Sequence, residues 1–487
     1  MTAAAFFDLD RTLLPKASGP ALSAAMRQTG VVSARLPGES LVFGYFNLLG
    51  ESLGSIALAR QAVHVARGRA ADAFDEAAEV AADVLEPLVG PFARMLIEEH
   101  HDAGRLVVLA TTTPEHLVRP LAERLGIDAV IATRYEVGED GRFTGRHDGH
   151  FVWSMGKIAA VRDWAEQQGV DLDASFAYSD SIYDAPLLRA VGNPGAVNPD
   201  PRLQALAVAA RWPVLHFDTS PGVFKLPVIG LELQRSLALL ARPELFPYAR
   251  FSIRGVDNVP RVGPAILVGN HRSYFDAMAM LVAMGRTSRS ARFLGKKELF
   301  DVPGLGAFFR AGGGISVDRR GDDPDSPDAF AAAVRALAGG ELVAMMPEGT
   351  IPRGIDFFEP GMSGYPGAAR LAQLTKVPVI PFAITGTEQV WPRSSRLPRV
   401  TRVLRRPEVT VTFGEPVDLK HRSVARDMER VFDAITALLP DEVRQPPRPT
   451  LAELARSYPD GRVPDEDRWY AVDGDGDGDG DGDGDGG

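Results

Sequence analysis

The sequence predicts an α/β chain made of two successive units, each a largely parallel sheet layered with helices. Three observations carry this. Short apolar runs rich in β-branched residues alternate with longer helical patterns through both halves. Between Pro15 and about Val89 the pattern changes to Ala-rich helical segments. The length, 487 residues, exceeds one domain at roughly 150 residues each.

Taken in order, "AAAFFDL" is the first strand and "SIALARQAVHVARGRAADAFDEAAEVAADVL" belongs to an inserted helical cap spanning about 15–89. "RLVVLA" and "ASFAYS" are further strands. The stretch "VGNPGAVNPDPRLQALAVAARWPVLHF" is dense in turn formers and closes the first unit, 1–217. "DTSPGVFKLPVIGLELQ" reads as a linker into the second unit, 218–440, whose strands are "AILVGN", "GISVDR", "ELVAMM" and "VPVIPFAI". Residues 441–487 hold a Pro-rich segment, a short helix and a disordered Asp-Gly tail. The tail begins like an EF-hand loop at Asp473, but its twelfth position is Gly484 in place of a bidentate glutamate.

Composition narrows the function. The net charge is −11, but seven aspartates between Asp473 and Asp485 leave the remainder at −4, which excludes a basic nucleic-acid-binding domain. Cysteine is absent, which excludes disulfides and thiolate metal sites. No apolar run approaches the ~18–20 residues that span a bilayer, and the N-terminus lacks the pattern of a signal peptide. The expected location is the cytoplasm, peripheral on the inner face of the cell membrane.

"FFDLDRTLL" places Asp8 at the C-terminal end of the first strand, where open α/β sheets put their ligands. Thr111 ends "RLVVLA", Lys157 opens the helix after "WSMG", and Asp180 and Asp184 follow "SFAY". The set suits phosphoryl transfer. Asp8 and Asp180, with Asp10, are hard oxygen ligands for Mg2+. Asp8 is a competent nucleophile toward phosphorus, and Asp10 can protonate the leaving oxygen and then activate water. Thr111 and Lys157 would hold the equatorial oxygens.

These motifs resemble the haloacid-dehalogenase-like phosphatases with a helical cap, the branch that includes phosphoserine phosphatases. "DLDRT" matches D-x-D-x-T, "VVLATTT" the second motif, Lys157 the third, and "SDSIYD" the fourth, in which Asp184 is supporting. Arg11 stands where many members have glycine. The resemblance implies a Rossmann-like parallel sheet and an aspartyl-phosphate mechanism.

The second constellation lies in "AILVGNHRSYFDAMAM". Five residues on a straight helix would set His271 and Asp276 about 140° apart. They meet only if His271 lies in a strand-to-helix turn and Asp276 in the first helical turn. A histidine oriented by a carboxylate is a general base. "NHRSYFD" supplies no nucleophile elbow for Ser273, so the base would deprotonate a substrate hydroxyl for direct attack.

With "GGISVDR", "PEGT" and "VPVIP" downstream, residues of about 225–420 resemble glycerolipid acyltransferases of the lysophosphatidate type. The resemblance implies that His271 activates the acceptor hydroxyl against the thioester of acyl-CoA or acyl carrier protein, with Asp276 orienting the ring. Arg319, Glu348, Gly349 and Thr350 would hold the acceptor's phosphate and glycerol. Ile351 stands where many members have arginine, and Arg353 comes two residues later.

The expected protein is therefore a fusion of an Mg2+-dependent phosphatase with an acyltransferase acting on lysophosphatidate or a related lysophospholipid at a membrane surface. "FKLPVIGLELQRSLALLARPELFPY" and the arginine-rich "WPRSSRLPRVTRVLRR" are candidate membrane contacts. A catalytically silent or small-metabolite first unit, and another glycolipid acceptor, stay open.

Overall fold

A computed structural model describes residues 2–32, 53–221, 223–226, 231–287, 289–317, 330–359, 361–401 and 403–472. The chain divides into two compact units at about residue 222.

The first unit is built on β1 (Ala4–Phe7), β2 (Leu106–Pro114), β3 (Ala129–Val137), β4 (Phe143–Asp148), β5 (Phe176–Ser179), β6 (Asn193–Val197) and β7 (Val214–Leu215), in the spatial order β4-β3-β2-β1-β5-β6-β7. All neighbours are parallel except the β3–β4 hairpin. Both faces of β1 are buried. Ala5 and Phe7 join one core and Ala4 and Phe6 the other, which is why the strand reads as a continuous apolar run. Phe7 stacks on Tyr178 at 4.8 Å and Phe6 meets Trp164 edge-on at 5.8 Å.

Between β1 and β2 come α1 (Gly19–Gln28), α2 (Leu53–Ala66) and α3 (Ala73–Leu85), with residues 33–52 outside the described chain. In α3 the buried Ala77, Ala81 and Leu85 recur every fourth residue, one face of a helix. Then follow α4 (Pro91–Asp102), α5 (Glu115–Arg124), α6 (Met155–Gln168) and α7 (Pro201–Ala210).

The turn-rich stretch that closes this unit is a strand, a helix and a second strand: β6, α7 and β7. Pro194 and Gly195 lie inside the sheet, and Pro201 opens α7. Gly195 pairs with Tyr178, and a Cβ there would lie 2.7 Å from the tyrosine ring.

The second unit holds β8 (Arg250–Arg254), β9 (Ala265–Gly269), β10 (Ala291–Lys296), β11 (Ile315–Val317), β12 (Leu342–Met345), β13 (Val379–Thr385) and β14 (Glu408–Phe413), ordered β11-β10-β12-β9-β13-β14-β8. Only the β13–β14 pair is antiparallel. Central β9 is buried throughout. Its Leu267 packs with residues of α9 (Asp276–Met284). Ile266 and Val268 share the opposite core with α10 (Ala331–Ala338), α11 (Gly367–Thr375) and α12 (Val424–Leu438). The linker segment contains α8 (Leu233–Leu240).

Beyond the Pro-rich stretch, the helix Leu451–Ser457 begins with a capping box formed by Thr450 and Glu453. Ser457 accepts a hydrogen bond from the Gly354 amide at 2.9 Å, so this segment fastens the loop that follows "PEGT". Gly354 has φ +60°, and a Cβ there would meet the Tyr458 hydroxyl at 2.3 Å. No helix among the described residues is long and apolar enough to cross a membrane. The Asp-Gly tail lies outside the described residues.

Candidate active sites

In the first unit, Asp8 directly follows β1 and Asp180 directly follows β5, its neighbour. The Asp8 amide donates to Tyr178 O at 3.0 Å, continuing the ladder to the sheet edge. β1 lies between β2 and β5, so the chain leaves it in one direction and returns on the other side, the crevice where such sheets hold ligands.

Lys157 enters this edge from the first turn of α6. Gly156 beside it is required by space, since a Cβ would lie 2.2 Å from Phe151 O. The buried Lys157 ammonium donates to Asp8 Oδ1 at 2.7 Å and to Asp184 Oδ2 at 2.6 Å. Asp184 also accepts from Ser179 Oγ at 2.7 Å. Pairing with two carboxylates offsets the cost of burying the ammonium.

Asp10 turns its carboxylate toward Ser18, whose amide donates to Oδ1 at 2.5 Å, and toward the Thr113 hydroxyl. Burial raises its pKa, against the opposing hydrogen bonds from Ser18 and the charge of Lys157. A carboxyl held toward its protonated form suits a proton donor. Thr111 is buried and its Oγ1 accepts from the Thr113 amide at 3.2 Å. The strand expected to end at Thr111 runs on to Pro114, with a shift of register against β3.

Three further residues shape this site, and the sequence marks one of them, Arg11, only as a departure from the glycine of many members. Arg11 pairs with Asp180 at 2.8 Å and has φ +61°, a strained backbone for a non-glycine residue. Thr113 touches Asp10 from within an uninformative run of threonines. Asp200 caps α7 and accepts from the Ile182 amide at 2.9 Å, fixing the loop that carries Asp180. Among the described residues no three His, Asp or Glu side chains gather to hold a metal. Two adjacent strand-end carboxylates still fit a hard divalent cation that fills its other positions with water and phosphate oxygens.

In the second unit, Asn270 and His271 follow β9. Asn270 donates to Ile384 O at 2.8 Å and accepts from the Ile384 amide at 2.7 Å, which pins the end of β9 to β13. Gly269 permits this approach, since a Cβ there would sit 2.1 Å from the Phe382 ring.

The ring of His271 lies with Nδ1 2.7 Å from Asp276 Oδ2, the acid being fully buried and the ring 24% exposed. Asp276 Oδ2 also accepts from the amides of Arg272 at 2.6 Å and Ser273 at 2.9 Å, and Oδ1 accepts from Thr387 Oγ1 at 2.5 Å. Every partner of Asp276 here can donate, so Nδ1 carries the ring proton and Nε2 remains as the acceptor. Ser273 Oγ donates to Trp391 O at 2.6 Å and accepts from the Phe275 amide at 3.0 Å. Its hydroxyl is occupied in structure.

Glu348 accepts from the His271 amide at 2.5 Å, which brings "PEGT" to the base. Gly349 has φ +70° and donates to Met346 O at 3.0 Å, closing the turn. Thr350 is exposed at its end. Arg319 lies outside the described residues. Thr387, Glu388 and Arg272 were not singled out from sequence. Arg272 covers the Phe357 ring at 3.7 Å and donates to Phe357 O at 3.0 Å. Glu388 is partly buried, and loss of solvent around its carboxyl raises its pKa. "GTEQV" has no local pattern that would mark either residue.

Burial pushes the Glu348 carboxyl from its usual 4.5 up to about 7, against the His271 amide bond and the charge of Arg272. Across that interval the folded chain holds a proton that the unfolded chain has lost, so stability falls as pH rises through it. Relative to Glu348→Gln, wild type is expected to lose up to about 3 kcal/mol between pH 5 and pH 8. Urea midpoints of both proteins at the two pH values check this, and an unchanged difference between them refutes it.

A haloacid dehalogenase-like hydrolase model matches residues 5–189, and an acyltransferase model matches residues 250–385. An inhibition of morphological differentiation protein from Streptomyces azureus is 37% identical over 242 residues, covering 49% of this chain and 86% of that one. A phosphoserine phosphatase from Mycobacterium tuberculosis is 36% identical over 224 residues, covering 45% and 71%. The crystal structure of a 1-acyl-sn-glycerophosphate acyltransferase from Thermotoga maritima aligns at 22% identity and TM-score 0.31, covering 42% and 79%.

Proposed function

The chain belongs to the haloacid dehalogenase-like hydrolases and carries an acyltransferase domain behind that unit; from this premise we propose a bifunctional lipid enzyme. Its second unit transfers an acyl chain from acyl-CoA or acyl carrier protein to lysophosphatidate or a related lysophospholipid. Its first unit hydrolyses a phosphomonoester.

The observation that carries acyl transfer is the His271–Asp276 pair, an oriented and partly exposed base with no free serine beside it. His271 Nε2 takes the proton of the acceptor hydroxyl as the oxygen attacks the thioester carbonyl. Asp276 stabilises the imidazolium, which returns its proton to the thiolate leaving group. A lipid acceptor calls for a membrane surface, and the exposed Phe224, Leu239 and Leu245 in the segment before β8 are our candidates for peripheral docking.

In the first unit, Asp8 and Asp180, with Asp10, would hold Mg2+, which when bound neutralises phosphate charge. Asp8 attacks phosphorus, and Asp10 gives a proton to the leaving oxygen and later takes one from water. Lys157 holds Asp8 in place and balances its charge.

The Arg11–Asp180 ion pair favours a second reading, a first unit that binds without turnover, because a guanidinium already occupies an oxygen of the expected metal ligand. Purified protein assayed for acylation of a lysolipid panel, and for Mg2+-dependent phosphate release from phosphatidate, lysophosphatidate and phosphoserine, separates these readings. Acylation of lysophosphatidate with phosphate release is expected. Acylation without any phosphate release would leave the silent first unit.

A further inference from the structure

The position directly after Thr350 carries no charge: Ile351 is apolar and only 3% exposed. A guanidinium reaches it from elsewhere. Arg393, beyond the fourth motif, donates through Nη1 to Ile351 O. Its Nε is buried and has no hydrogen-bond partner among the described residues. Partly burying a guanidinium to satisfy one carbonyl is a poor exchange if pinning a loop is its only task.

The segment carrying Arg393 is fixed at three points to the turn that carries the base. Thr387 bonds Asp276, Trp391 O accepts from Ser273 Oγ, and the Trp391 ring lies 5.7 Å from that of Tyr274. Arg353, on the exposed side of the same loop, is close enough to repel Arg393. Neither forms an ion pair among the described residues, and no acidic residue occurs in the sequence from Trp391 to Arg406. Arg272, by contrast, is stacked on Phe357 and faces Glu348 and Glu388. Burial lowers the Arg393 pKa, with the charge of Arg353 adding to it and Tyr274 opposing it, the state of a cation that gains from an added anion.

We infer that Arg393 and Arg353 form an anion site beside His271 that takes the phosphate of the acyl acceptor, Arg393 supplying the charge that position 351 lacks. This rests on the acyl-transfer reading above and adds its determinant of headgroup choice. Phosphate could also come from the acyl donor, so the test separates the two sources.

Steady-state acylation is measured for wild type, Arg393→Met, Arg393→Lys and Arg353→Met, varying lysophosphatidate, a neutral monoacylglycerol and the donor in turn. Arg393→Met should raise KM for lysophosphatidate about 10- to 100-fold, the range for losing a charge-assisted hydrogen bond. KM for the donor and for monoacylglycerol should stay within about twofold, and Arg393→Lys should fall between. A rise confined to the donor, or an equal rise for both acceptors, overturns the assignment.

Should Arg393→Met not fold, Arg353→Met, altered only at an exposed side chain, decides alone: an unchanged KM for lysophosphatidate overturns the site. If wild type acylates no lysolipid, the functional reading fails separately. Calorimetric titration of full-length wild type and variants with glycerol 3-phosphate then tests the site, binding by the first unit being common to all. Weaker binding by Arg393→Met supports it, and equal binding overturns it.

Discussion

Acyl transfer is expected to fall by about 10²- to 10⁴-fold in His271→Ala, with phosphate release unchanged. The effect is chemical because the loop does not depend on the ring. Asp276 keeps the amides of Arg272 and Ser273 and the hydroxyl of Thr387 when the imidazole is removed. The His271 amide that Glu348 accepts is main chain and also survives. The thermal midpoint should therefore move little, whereas Asp276→Ala would strand several donors at once and lower it. Parallel transfer assays and melting curves check both halves. Substantial transfer by His271→Ala would remove the base from the mechanism.

Phosphate release should fall by at least about 10⁴-fold in Asp8→Asn, since an amide cannot form the aspartyl-phosphate. The same change takes a negative partner from the buried Lys157, which keeps Asp184. Some loss of stability in the first unit is expected with it, and acyl transfer should be retained. The check is phosphate release against a phosphomonoester panel, with transfer measured on the same samples. Phosphate release that persists in Asp8→Asn would exclude Asp8 as nucleophile.

Much of both sites is legible in the sequence because strand ends are legible. An apolar run that stops at Asp8 or at Asn270 marks where a buried strand reaches the sheet edge, and the five-residue interval from His271 to Asp276 admits only a turn between them. What stays hidden are contacts made across sequence. Thr387 reaches Asp276 over 111 positions and Arg393 reaches Ile351 over 42, and neither distance leaves a periodic trace. The β6 strand is hidden for another reason. Pro194 and Gly195 follow local turn preference, and only the Tyr178 ring across the sheet explains the glycine.

The bond from Ser457 to Gly354 has a consequence for the order of assembly. During synthesis, domains generally fold as they emerge, N-terminal first. The centre around Asp8 is built within the first unit, which closes with Phe217 against Phe7, so it can mature while the second half is still being translated. The loop after "PEGT" must wait about a hundred further residues for its fastening, and the acyl-transfer centre is completed only when position 458 has cleared the ribosome.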